Sequence, residues 1–109
     1  MAKLKINVPC QRKGDKAPRL VEVEGTVMRY KIGTETHRFL IHEAPDKSGM
    51  VLSHIASGQR AFRLDPPYTR LRNPWKPREV ATYKLDAAVR SLGADEMNRR
   101  LNDAPVVNT

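Results

Sequence analysis

At 109 residues and 12.4 kDa the chain has the length of one domain, and its 24 Leu, Ile, Val and Phe residues support a thin core. Apolar runs stop at three residues, as in Phe39-Leu40-Ile41, which excludes a membrane-spanning helix and a signal-peptide core; the single cysteine excludes an internal disulfide and fits a reducing, cytoplasmic setting. Twenty basic residues against twelve acidic ones leave a net charge of +8, the strongest lead to a partner.

Residues 3–8 alternate strictly, with Leu4, Ile6 and Val8 on one side and Lys3, Lys5 and Asn7 on the other, as a half-buried strand does. Residues 9–18 have no period and read as a basic loop carrying Lys13 and Lys16. A long strand follows at 19–32, where the apolar parity changes from Val21, Val23 and Val27 to Met28, Tyr30 and Ile32. Gly25 stands at the change, so a β-bulge is expected there, and an exposed edge on so long a strand offers self-pairing into a homodimer. Strands at 36–43, 50–56 and 59–64 complete an antiparallel meander of about five, because the connections are too short for parallel crossovers.

Pairing of 36–43 with 50–56 puts Phe39, Ile41, Met50, Leu52 and Ala56 on one face. The opposite face takes Arg38, Leu40, His42, Val51, Ser53 and Ile55. From Arg78 the period becomes helical, with Ala81, Leu85, Ala88 and Leu92 on one stripe and Gly93 as a stop. Asp95 is the expected cap of a second, shorter helix with Met97 and Leu101 on its apolar side. The fold class is thus α+β: the meander, then one long and one short C-terminal helix packed on one sheet face, leaving the other face wet or for a partner. Residues 1–102 form the single domain, with a basic, proline-rich connector at 65–77, and 103–109 form a fraying C-terminal tail.

Charge is unevenly spread along the chain. Residues 1–19 and 48–78 each carry net +5, whereas 20–47 and 79–109 each carry net −1. Within the second basic block, Arg60, Arg63, Arg70, Arg72, Lys76 and Arg78 interleave with Phe62, Tyr68 and Trp75, and four of the eight prolines lie there. Guanidinium and ammonium groups attract phosphates, and aromatic faces stack on unpaired bases. Arg60, Arg63, Arg70, Arg72, Lys76 and Arg78 are therefore the expected phosphate contacts, with Tyr68 and Trp75 as stacking residues. The function expected is a non-catalytic nucleic-acid-binding module that favours single strands. The same arginines fit an acidic protein surface, so an inhibitor of the phage- or plasmid-type accessory class, blocking a host complex, is the alternative. A solvated connector with its aromatic residues capping the core is the bland reading of the same segment.

Catalytic and metal constellations fare worse. His37, His42 and His54 show no ligand spacing, and strand geometry puts His37 and His42 on opposite faces, so no metal or cofactor is expected. Ser53 and His54 are adjacent, so their side chains diverge, and Cys10 has no histidine placed beside it. No glycine-rich phosphate loop is present. A small metal-free ribonuclease is the remaining enzymatic alternative, with His54 and Arg60 as its best pair. A helix-turn-helix around Gly93 is disfavoured by the length of the first helix and by Arg99 where a buried apolar residue belongs.

Overall fold

Short polar connections leave each strand beside its sequence neighbour, and the sheet order follows the chain. The computed structural model describes residues 3–10, 17, 19–45, 49–64 and 76–108. Strands β1 (Lys3–Cys10), β2 (Arg19–Ile32), β3 (Glu35–Glu43), β4 (Met50–His54) and β5 (Arg60–Arg63) form one antiparallel sheet, followed by helices α1 (Pro77–Leu92) and α2 (Ala94–Asp103). The architecture is the expected α+β meander with two C-terminal helices. No helix among the described residues is long and apolar enough to cross a membrane.

The parity change in β2 has a different cause from the expected bulge. Pairing runs unbroken through Gly25 on both sides, to Leu4 of β1 and His42 of β3. The strand instead serves two cores. Val23 and Val27 face a cluster built from Ile6, Val8, Leu40 and Ile55. Met28 and Tyr30 face the other way, onto Phe39, Ile41, Leu52, Val80, Ala81 and Leu85. Gly25 marks a close approach of β2 to the β3 backbone, because a Cβ there would lie 2.1 Å from the Ile41 carbonyl oxygen. Nor is β2 an edge: it lies between β1 and β3, and the sheet's edges are β1 and β5.

Coiling also explains why the helix-free face is not simply wet. The β4–β5 turn approaches β1 so closely that a Cβ on Gly58 would stand 2.4 Å from the Asn7 carbonyl oxygen, and φ is +69° there. Ile55 in that turn is thereby brought onto Ile6, Val8 and Leu40, and the centre of this face is sealed. Residues 105–108, expected to fray, dock across the same seam. The Val107 and Asn108 amides donate to the Ala56 carbonyl at 2.7 and 2.9 Å. The Asn108 side chain accepts from the Asn7 N–H at 2.8 Å and donates to the Asn7 and Ile55 carbonyls at 2.9 and 2.8 Å. One amide thus imitates a neighbouring strand and blunts the outer edge of β1. Asn108→Ala is expected to cost about 1–2 kcal/mol, since each such bond is worth about 1 kcal/mol net. Thermal unfolding should show a Tm lower by about 5–10 °C.

On the helix side, Pro77 occupies the first turn of α1, where its missing N–H is no loss. Val80, Ala81 and Leu85 are buried, Ala88 and Val89 are half-buried, and Leu92 at the end of the expected stripe is exposed. The cap of α2 is Gly93; Asp95 lies two positions further in, in the first turn with Glu96, where carboxylates favour the helix dipole. Met97 is buried and Leu101 packs against the main core, so the helical hairpin lies on the sheet. Polar clasps fix it there. The Tyr30 hydroxyl donates to Asp86; burial, with this bond added, pushes the phenol up to about 12. Lys84 donates to the Arg63 carbonyl, and Asn98 Nδ2 donates to the Ile32 carbonyl at 3.0 Å.

Candidate nucleic-acid interface

In a strand, successive side chains point to opposite faces, so the register assigns each charge to a side. The helix-side positions include Glu22, Glu24, Glu35 and Glu43, together with Lys3 and Lys5. The opposite face takes Arg19, Arg29, Lys31, Arg38, Arg60 and Arg63, and none of its described strand positions is Asp or Glu. Six cations and no carboxylate share one side of the sheet.

Two local features produce this sorting. In β2 and β3, Arg29 stands directly opposite Arg38, with Lys31 one step further opposite Thr36. Like charges directly across a ladder are destabilising, so this pair is a cost to the fold. In β5, Arg60 and Arg63 are three residues apart and would face opposite ways in a regular strand. A register shift between Leu52 and Ser53 inserts one residue, so that Arg60 pairs with Ser53 and Arg63 with Val51, on one face. Arg29, Lys31, Arg38 and Arg60 are exposed and form no ion pair with a described residue. The arginines of α2 differ: Arg99 lies within 2.5 Å of Glu96 and 3.4 Å of Asp103, and Arg100 within 3.0 Å of Glu96. Those hydrogen bonds hold the Glu96 carboxyl down at about 2.

Of the residues singled out from the sequence, Arg60 and Arg63 belong to this basic face. Lys76 caps α1 and Arg78 lies in its first turn, in the helix layer, where Arg78 shares a recess with Glu79 and Asp86. The four described residues of that set thus divide between the basic face and the helix layer. Tyr68, Arg70, Arg72 and Trp75 lie outside the described residues. Both ends of their connector are anchored in one place, since Leu64 and Val80 pack in the same core cluster. No protein-family model, curated protein or solved structure matches this chain. The chemistry of the site rests on its own residues.

The histidines are partnered, each differently. His42 donates from Nδ1 to the Glu43 carbonyl and accepts at Nε2 from the Ser53 hydroxyl, both at 2.8 Å. This cross-strand pair escaped the sequence comparison of adjacent Ser53 and His54. Both partners are only 2% exposed, so the pair is a clasp and not an open nucleophile. His54 bonds Ser57 at 2.9 Å, and His37 bonds Asn98 at 2.8 Å. The pairing of His54 with Arg60 suggested for a ribonuclease does not form: His54 packs on Phe39 and His37, while Arg60 acts on His42 across the other face. Among the described residues no group of three His, Cys, Asp or Glu side chains is placed to hold a metal ion.

Burial lowers His42 and His54 below the ordinary value of 6.5; Arg60 adds to the effect at His42, against the Glu43 carbonyl, and His37 adds to it at His54. In the unfolded chain these rings take up protons near 6.5, whereas the folded protein resists until lower pH. Their contribution to stability is therefore complete above about pH 6.5 and declines as the pH falls toward the folded values. Thermal unfolding followed from about pH 7.5 to 5.5 should show this fall, and His42→Gln with His54→Gln should flatten it.

Proposed function

We propose that this protein is a non-catalytic nucleic-acid-binding module that holds a single-stranded polyanion on the cations around the sealed centre of the helix-free face of its sheet. The observation that carries the proposal is the sorting of six strand cations, and no strand carboxylate, onto that face. Arg29 and Arg38 face each other at a cost to folding, and a bound phosphate chain removes that cost by neutralising both. The connector between β5 and α1 supplies further phosphate contacts from Arg70 and Arg72, and Tyr68 and Trp75 stack on unpaired bases.

Fluorescence anisotropy with single- and double-stranded oligonucleotides tests the proposal. Binding should be tight at about 50 mM salt and fall steeply at about 200 mM. No binding at the lower salt ends the idea. Trp75→Ala should weaken single-strand binding more than duplex binding; equal losses would remove the stacking role. Recovery of one stoichiometric protein from nuclease-treated lysate would shift the assignment to an acidic protein surface.

A further inference from the structure

β3 runs beyond the last residue of β4, and its free end borders a half-open cavity of about 270 Å3 between the 55–56 turn and the chain around the end of α2. His37 and His54 line this cavity, 7% and 6% exposed, with ring centroids 5.7 Å apart and planes tilted by 62°. Each ring is held through one nitrogen only. Asn98 uses its Nδ2 on the Ile32 carbonyl, so its Oδ1 accepts from His37 Nε2, and His37 Nδ1 is left as an acceptor. Ser57 Oγ accepts the Gln59 N–H at 3.2 Å and gives its own proton to His54 Nδ1, which leaves the ring proton of His54 on Nε2.

Among the described residues no side-chain nitrogen or oxygen is both sealed from solvent and unpaired. His37 Nδ1 and His54 Nε2 have no partner among the described residues, so neither is sealed, and the cavity is the space that both rings line. One acceptor and one donor thus face a single small space. Arg38 lies in its wall, and no lining residue is Asp or Glu.

We propose that this cavity binds a phosphate group that still carries one P–OH: free phosphate, or a phosphate monoester in its monoanionic form. The P–OH donates to His37 Nδ1, a P–O⁻ oxygen accepts from His54 Nε2–H, and Arg38 meets the remaining charge. Such charge-assisted bonds are strongest where water is excluded. A phosphodiester lacks the P–OH, and an ionised carboxylate has no proton to give, so the donor–acceptor pair selects against both. Burial lowers the affinity of His54 for a second proton, which favours the neutral ring whose single N–H is free for the ligand. The two sites share Arg38, but the His37–His54 pair lies off the polyanion face, and its demand for a P–OH selects against the internal phosphates of a nucleic acid, which are diesters.

The full-length protein is titrated with inorganic phosphate while the histidine ring resonances are followed by NMR near neutral pH. Saturable shifts of His37 and His54, with a Kd of about 1–10 mM and no change at His42, are expected. Dimethyl phosphate and sodium chloride at equal ionic strength should produce none. Arg38→Gln, a surface change, should weaken binding about fivefold or more, and His37→Gln should abolish it. A nucleoside 5′-monophosphate binding more tightly than inorganic phosphate assigns the site to phosphorylated small molecules; equal or weaker binding assigns it to free phosphate. Absence of a saturable shift up to about 50 mM, or equal shifts with dimethyl phosphate, overturns the proposal.

Discussion

Gly25→Ala is expected to cost more than about 3 kcal/mol of stability, and Gly25→Val to leave no folded protein. An added Cβ would lie 2.1 Å from the Ile41 carbonyl oxygen and 2.8 Å from the Cβ of His42. The first obstacle is backbone of β3, the middle strand of the sheet, and has no rotamer through which to escape. Relief requires β2 and β3 to separate at Gly25, between Val23 and Val27 of one core and against Ile41 of the other. Both clusters would loosen together, so the loss should exceed that of an ordinary overpacked site. Because the collision is at Cβ, alanine should already cause most of it. Urea unfolding measures the change; an alanine variant within about 1 kcal/mol of the parent would mean that the two strands part there freely.

The same glycine shows how far the sequence can be read. Its position at a parity change was visible, and so were all five strands and both helices, because alternation and helical period survive in the residue order. The cause of the change was not visible. A bulge and a transfer between two cores leave the same trace in β2, and only the coiling that brings Gly58 to Asn7 and Ile55 to Ile6 separates them. The docking of Asn108 on Asn7 is a contact between the two ends of the described chain, and its residues carry no local pattern. The basic face was hidden for another reason. Residues 20–47 sum to −1 although Arg29, Lys31 and Arg38 all lie on one side and Glu22, Glu24, Glu35 and Glu43 on the other. Counting alternate residues within each strand would have exposed the face in β2 and β3. It would still have failed in β5, where the register shift that aligns Arg60 with Arg63 has no signature in the sequence.

Arg29→Gln combined with Arg38→Gln is expected to weaken nucleic-acid binding while leaving the fold as stable as before, or more so. Engagement of six cations on a single strand gives a logarithmic salt slope near −4, so raising salt from about 50 to 200 mM should lower affinity about 300-fold. Removal of two of the six should bring the slope up by about 1.4. Stability should move in the opposite direction, because the two guanidinium groups face each other across the β2–β3 ladder and form no ion pair with a described residue. A residue pair kept only for packing would lose stability and leave the salt slope alone. A pair kept for a polyanion loses the slope and keeps, or gains, the stability. Measuring both quantities on one variant therefore separates the two, and an unchanged slope would remove Arg29 and Arg38 from the interface. The same variant made together with Arg60→Gln should bring the slope up by about 0.7 more if the phosphate path continues across the sheet to β5, and should not if the path ends at β3.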